Sequence, residues 1–333
     1  MVELPRYAQI EPVGQCNLRC TMCSIQYRRD GPPYGPLAFM PYDAFTALLS
    51  ELPTLEELHL QGLGEPLMHP RFFDMIAFAV ARGVRVSVNS NLILLNADRA
   101  ERCVTSGLAT LHISIDGATA ETYERIRVRS KFARLMRNIE LLSAAKERFG
   151  ARHPALSFTV VVMRQNLEEL ADLVRLAGEC GIAEVNVQHL CHDFGESTLP
   201  ARYDAMRTFV REQALTGDEP SRIENAFTAA RAEASARGIR LRLPELQPRP
   251  FPAAASGRSR CDFPWRGTYV SFDGAAMPCC MVATPDRAHV GNVAEQGFAA
   301  MWNGPVLQDF RARLDSAEPP EICRSCAVYQ GVF

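Results

Sequence analysis

The sequence predicts an α/β fold, a partial (β/α)6 barrel followed by a small cysteine-rich C-terminal domain. Three observations carry this. Short apolar runs alternate with amphipathic stretches six times between about residues 7 and 190, as a parallel sheet with crossover helices requires. Gly83, Gly107 and Gly181 stand where helices should stop, at the C′ position that favours a left-handed residue. No run reads as an edge strand, which favours an open barrel over a doubly wound sheet.

The elements follow in order. A first strand over 8–13 runs into Cys16, and a helix over 41–52 opens on Pro41, whose fixed φ suits a first helical position. The strand over 57–61 delivers Gly62, Gly64 and Glu65, and a helix over 71–82 ends at Gly83. The strand over 84–88 delivers Asn89, Ser90 and Asn91, before a helix over 97–106. The strand over 110–115 delivers Ser114, Asp116 and Gly117, before a helix over 131–149. The strand over 156–162 leads to Arg164, Gln165 and Asn166, before a helix over 167–180. The sixth strand, over 184–189, ends on Gln188 and His189. Polar and glycine residues thus gather at the C-terminal strand ends, where β/α barrels build their active sites. Residues 191–260 read as helices over 201–213 and 221–237 and a proline- and alanine-rich linker over 244–256. Residues 261–333 read as short strands, turns and cysteines with a helix near 306–314. The regions are therefore 1–190, 191–260 and 261–333, with a domain boundary near residue 250.

A formal net charge of −2 gives no reason to expect nucleic acid or an anionic membrane as partner. The N-terminus lacks the apolar core of a signal peptide, and the longest apolar runs, such as 160–163, suit buried strands. The expected location is the cytoplasm. Eleven cysteines in such a chain point to metal or redox chemistry, because disulfides are disfavoured there. Cys103, Cys180 and Cys191 stand alone and are read as small buried apolar residues.

Cys16, Cys20 and Cys23 form a C-x3-C-x2-C spacing directly after the first strand. Three thiolates on one loop can cap three irons of a cubane and leave the fourth iron open. Structural zinc asks for a fourth ligand, and nothing nearby supplies one. The spacing resembles that of the radical S-adenosylmethionine (SAM) superfamily. The resemblance implies a catalytic [4Fe–4S] cluster on these cysteines, SAM on the open iron, and a 5′-deoxyadenosyl radical that abstracts hydrogen from an unactivated C–H bond. It also implies an electron donor such as flavodoxin or ferredoxin.

Further motifs are similar to the family's SAM contacts. Gly62-Leu63-Gly64-Glu65-Pro66 resembles its G-G-E-P segment with the first two glycines separated, so only Gly64 and Glu65 are carried over. Asn89 stands where Thr-Asn-Gly is common. Ser114, Asp116 and Gly117, with Tyr123 and Arg127 downstream, resemble S-x-D-G…Y-x-x-I-R. A guanidinium there suits the methionyl carboxylate.

Cys261, Cys279, Cys280, Cys323 and Cys326 form the second group. A hairpin turning on Asp273-Gly274 would bring Cys261 and Cys279 together. Cys261, Cys279, Cys323 and Cys326 then suffice for one auxiliary [4Fe–4S] cluster; a zinc ribbon is the alternative. The pattern resembles the SPASM or twitch extension of radical SAM enzymes, and five cysteines favour the one-cluster twitch form. Cys280 is left as a substitute ligand, an inert neighbour, or a cavity thiol able to donate hydrogen, as in some radical epimerases. His189 is the histidine best placed to act as a base, with His192, Arg164 and Arg266 as competitors. Twitch enzymes include dehydrogenases of aminocyclitols, so the expected substrate is a hydroxylated small molecule such as a sugar or cyclitol. Epimerisation and peptide modification are the alternatives. Peptide modifiers often carry a leader-binding module before the barrel, and a first strand near residue 8 leaves no room for one.

Overall fold

The computed structural model describes residues 2–215, 220–252 and 255–333. The strands are β1 (Tyr7–Ile10), β2 (Arg19–Cys20), β3 (Glu57–His59), β4 (Arg85–Ser90), β5 (Thr110–Ser114) and β6 (Arg127–Val128). They continue as β7 (Ala155–Val161), β8 (Glu184–Gln188), β9 (Arg240–Arg242), β10 (Gly267–Val270), β11 (Ala275–Met277) and β12 (Gly291–Asn292). The larger helices are α1 (Tyr42–Ser50), α2 (Phe72–Ala81), α3 (Ala97–Thr105), α4 (Ala120–Ile126), α5 (Phe132–Arg148), α6 (Leu170–Glu179), α7 (Asp204–Gln213) and α8 (Pro220–Arg237). The ten-residue helix Pro305–Leu314 and short helices such as Glu321–Arg324 complete the C-terminal part. Of the linker expected over 244–256, residues 253 and 254 lie outside the described residues.

All six expected strands form, and they pair in parallel in the order β1-β3-β4-β5-β7-β8. Gly83, Gly107 and Gly181 follow their helices at φ of +80°, +85° and +68°, the left-handed turn that lets each helix return to the sheet. The sheet extends further than the sequence suggested. On one side β9 adds in parallel to β8; on the other β10 adds in parallel to β1 and carries β11 and β12 antiparallel. β12 and β9 are the two ends of this ten-stranded sheet, so the barrel stays open. The hairpin expected at Asp273-Gly274 is present, with Gly274 at φ +86°, and it is part of the barrel sheet. The helix α4 was not expected; Thr119 caps it by accepting a bond from the Thr122 N–H.

Burial explains the architecture. Ala8, Ile10, Leu58, Val86, Val88, Leu111, Ile113, Phe158, Val160, Val185 and Val187 are buried in the core beneath the helices. The intervening positions Gln9, His59, Ser87, Asn89, His112, Ser114 and Asn186 carry polar side chains. With a period of two they face the barrel interior, where His59 bonds Ser87 and His112 bonds Ser157. The interior is thus a polar wall. Among the described residues no helix is long and apolar enough to cross a membrane.

Candidate active site

The end of β1 organises the site. Glu11, in the apolar context Ile10-Glu11-Pro12-Val13, is fully buried against Arg28, whose Nη1 donates to both carboxylate oxygens at 2.9 Å. Burial pushes the Glu11 carboxyl up, and the guanidinium pulls it back. Glu11 also accepts the Leu63 N–H at 2.9 Å and the Gly64 N–H at 3.3 Å. One carboxylate therefore ties the segment after Cys23 to the Gly64-Glu65 loop. The Arg28 guanidinium lies 5.5 Å from the Phe272 ring centroid, which brings the C-terminal hairpin into the same joint.

Gly64 is required by close approach: a Cβ there would meet the Val13 carbonyl oxygen at 2.0 Å. Glu65 is buried and accepts bonds from the Leu67 N–H at 3.1 Å, the Ser90 hydroxyl at 2.7 Å and the Asn91 N–H at 2.9 Å. It thereby locks the loop after β3 to the loop after β4. Asn91 turns its Nδ2 to Asn17 Oδ1 at 3.0 Å and Cys16 Sγ at 3.6 Å. Cys16 Sγ also accepts the Leu18 N–H at 3.4 Å. Arg127 directs Nη1 to Cys20 Sγ at 3.8 Å and Nη2 to Asp116 Oδ2 at 2.6 Å.

One cavity of about 770 Å³ is lined by Cys16, Cys20 and Cys23 and also by Cys261, Cys279, Cys280, Cys323 and Cys326. Gly64, Glu65, Asn89, Ser114, Arg127 and His189 line it too. Asp116 does not. It is fully buried behind the wall, where Oδ1 accepts the Val161 N–H at 2.8 Å and Oδ2 faces Arg127; its place is that of a residue that positions Arg127. Among the competitors, His192 and Arg266 line the cavity. Arg164 is not part of the lining and donates to the Glu212 carbonyl. His189 Nε2 bonds the Glu245 carbonyl at 2.9 Å, which leaves Nδ1 as the proton acceptor. Burial lowers the His189 pKa, so its ring is neutral at neutral pH.

Reading the sequence gave three residues of the site no role of their own. Glu11 and Asn91 have just been described. Cys191, taken for an inert buried residue, lines the cavity beside the second cysteine group, with its carbonyl accepting the Ala327 N–H at 3.0 Å. A charged residue inside an apolar strand end was the one visible signal, and it pointed to Glu11.

Both groups of thiols suit iron–sulfur clusters. Burial pushes the Cys16 thiol well up and Cys23 to about 12; it raises Cys20 as well, against the pull of Arg127. Such thiols ionise only when a cationic centre replaces their protons. The sulfurs of Cys16 and Cys20 already receive N–H donors from Leu18, Asn91 and Arg127, the kind of bond that tunes a cluster's sulfur ligands. Arg127 Nε is buried with no protein partner, a free donor for a carboxylate. In the second group burial raises Cys261 to about 11 and Cys280 to about 12. Cys279 is pushed up by burial and then by the charges of Cys280, Cys326, Cys323 and Cys261, which puts it amid the other four. Among the described residues no three His, Cys, Asp or Glu side chains are grouped for a single metal ion; a cubane asks for a different spacing, because each thiolate caps its own iron.

An open parallel barrel with three loop cysteines at its mouth and a second cysteine group facing them is the architecture of a cluster-dependent radical enzyme. The Radical SAM superfamily model matches residues 10–177, and the model of the SPASM iron–sulfur cluster-binding domain matches residues 261–327. The chain belongs to the radical SAM superfamily and carries a C-terminal SPASM domain. Its cofactors are accordingly a [4Fe–4S] cluster with SAM and an auxiliary iron–sulfur cluster. It is 24% identical to the tungsten-containing aldehyde ferredoxin oxidoreductase cofactor-modifying protein of Pyrococcus furiosus, over 97% of this chain and 87% of that protein. It is 28% identical to a mycofactocin maturase of Mycobacterium ulcerans, over 94% of this chain and 78% of that one. Among solved structures, Streptococcus suis SuiB bound to the precursor peptide SuiA superposes with a TM-score of 0.69 at 13% identity, covering 98% of this chain and 71% of that one.

Proposed function

We propose that this enzyme modifies a peptide, or a molecule made from one, by radical hydrogen abstraction in the cavity between its two cysteine groups. The observation that carries this reading is the wall of that cavity. Around the auxiliary cysteines it includes Phe263, Met281, Phe310, Leu314, Val328 and Phe333, an apolar stretch that rewards an apolar side chain, beside the polar groups of His192 and Arg266. A relative, the PqqA peptide cyclase of Granulibacter bethesdensis, 24% identical over 98% of this chain and 80% of that protein, supports the same substrate class over the hydroxylated small molecule expected from the sequence.

Cys16, Cys20 and Cys23 would hold the core cluster, and Cys261, Cys279, Cys323 and Cys326 the auxiliary one. When bound, the core cluster and SAM supply a hydrogen-abstracting 5′-deoxyadenosyl radical. The chain's own residues position and protect. The Gly64-Glu65 loop, Asn89 and Ser114 form the SAM side of the cavity, and the free Nε of Arg127 is the donor for its carboxylate. His189 holds a neutral imidazole able to take a proton at Nδ1.

A second reading keeps the small hydroxylated substrate, favoured by the polar floor of Gln9, His59 and Gln61 in the same cavity. The two separate in one experiment. The reconstituted protein is incubated anaerobically with SAM, a reductant, and either a panel of synthetic peptides, including any short peptide encoded beside its gene, or a panel of sugars and aminocyclitols. Substrate-dependent 5′-deoxyadenosine with a mass change in a peptide supports the first reading. Turnover of a panel compound with every peptide unchanged overturns it.

A further inference from the structure

The segment that leaves β8 carries a group of side chains with no part in the SAM side of the cavity. His192 and Phe194 stand on it, and Arg287 reaches them from the segment between β11 and β12; all three line the cavity. The Phe194 ring is their common neighbour. The His192 ring meets it edge-on with 6.4 Å between centroids, and the Arg287 guanidinium lies 4.3 Å from its centroid. Phe194 holds φ +56°, a left-handed conformation that a residue with a large side chain keeps only where its surroundings impose it. Arg207 imposes it by donating to the Phe194, Glu196 and Leu199 carbonyls.

The hydrogen bonds of this group do not close within the protein. His192 is 5% exposed, and neither ring nitrogen has a partner among the described residues. The Met281 backbone lies alongside the ring without the geometry of a hydrogen bond. Arg287 donates Nε and Nη2 to Glu196 Oε1 in a buried pair, and its Nη1 makes no bond among the described residues. Glu196 is not part of the cavity wall, so it balances the guanidinium charge from behind. Burial, and then Arg287, keep the imidazole neutral, with one nitrogen to donate and one to accept. This stretch of wall therefore holds unused donors on Arg287 and His192 and an unused acceptor on His192, with no net charge. Buried polar groups left in that state cost stability until a partner meets them. Phe194, Met206 and Val210 add apolar surface to the same stretch.

We propose that His192 and Arg287 form a subsite for the peptide backbone of the substrate, and that the subsite selects an internal residue over one ending in a free carboxylate. A peptide backbone presents carbonyls and an N–H within one short stretch, which meet the Arg287 and His192 donors and the His192 acceptor. A free carboxylate gains little, because Glu196 already balances the cation, and it leaves the His192 acceptor unpaired. The inference rests on the substrate being a peptide or a molecule made from one.

The test measures the binding of N-acetyl-leucinamide, whose amides are all neutral, and of N-acetyl-leucine, which ends in a carboxylate, to the reconstituted protein by ligand-observed NMR. The wild type should hold the amide about fivefold tighter or more. His192→Phe should weaken amide binding by about tenfold while keeping or raising the unfolding midpoint, because the His192 nitrogens bond nothing in the protein. A histidine with only a structural role would lower the midpoint and leave the preference between the probes as it was. His192→Gln, which retains a donor and an acceptor, should keep most of the affinity. Glu196→Gln leaves the Arg287 charge unbalanced and should reverse the preference towards N-acetyl-leucine. A wild type that binds both probes equally, or binds neither, overturns the proposal, as does unchanged amide binding by His192→Phe. If the probes bind as expected and no peptide is modified in turnover, the peptide reading fails and the subsite stands. If a peptide is modified with the same KM by the wild type and by His192→Phe, the subsite fails alone.

Discussion

Arg127 joins Asp116 to Cys20: its Nη2 lies 2.6 Å from Asp116 Oδ2 and its Nη1 3.8 Å from Cys20 Sγ. The whole group is buried. Asp116 thus supplies the charge that keeps a guanidinium inside the protein, and that guanidinium faces a thiol of the core group on one edge and the cavity on the other. Burial pushes the Asp116 carboxyl up, and Arg127 draws it back.

Removing one member of a buried pair leaves the other uncompensated, at a cost of about 3–5 kcal/mol. Asp116→Ala should therefore destabilise the protein by roughly that amount in anaerobic urea unfolding. It should also weaken SAM binding, because Arg127 loses its anchor. Unchanged stability and SAM affinity in this variant would show that Arg127 is held by other contacts.

Gly64 and Gly83 make a contrasting pair. A Cβ at Gly64 would meet the Val13 carbonyl at 2.0 Å and the Gln15 carbonyl at 2.7 Å, whereas at Gly83 it would meet nothing. Gly64→Ala must push the loop away from the cysteine segment and should lower SAM affinity in equilibrium binding. Gly83→Ala, strained only by its φ of +80°, should cost about 1 kcal/mol of stability and leave SAM affinity as it was.

The cysteines divide by iron content. With both groups filled, the reconstituted protein should carry about eight irons and eight sulfides. Cys279→Ala should reduce this by about half, since Cys279 sits amid the auxiliary thiols, while Cys280→Ala should keep the full load. Zinc in place of iron at the second group would refute the assignment.

His59 gives the fold a pH dependence. Burial, then the neighbouring His112, lowers its pKa from 6.5 to about 4. The unfolded chain binds the proton first as pH falls, so this contribution is intact above about 6.5 and is lost progressively towards about 4. Unfolding free energy measured from pH 7 down to pH 5 should fall, and His59→Gln should flatten part of that slope.

Much of the fold was legible because the barrel's signals are local. Period-two apolar runs, helix-ending glycines and the C-x3-C-x2-C loop each declare themselves within a few residues. The membership of β10 in the sheet did not, because its pairing of Gly267 with Tyr7 joins segments far apart in the chain. Glu11 showed itself only as a charge at an apolar strand end, and Arg28 carried no signal until the fold buried both side chains at 0% exposure. Asn91 was noticed as a strand end, but its bond to Cys16 depends on two loops meeting. Cys191 carried no spacing signal, since its neighbours Cys280 and Cys326 are brought to it only by the docking of the C-terminal region.

The most direct measurement is the release of 5′-deoxyadenosine from SAM by the anaerobically reconstituted protein with dithionite, beside a Cys16→Ala, Cys20→Ala, Cys23→Ala triple variant. The wild type should release it and the triple variant should not, while the variant keeps the iron of its auxiliary group. Equal release by both proteins, or none from a wild type carrying its full iron, would contradict the assignment of Cys16, Cys20 and Cys23 as the catalytic centre.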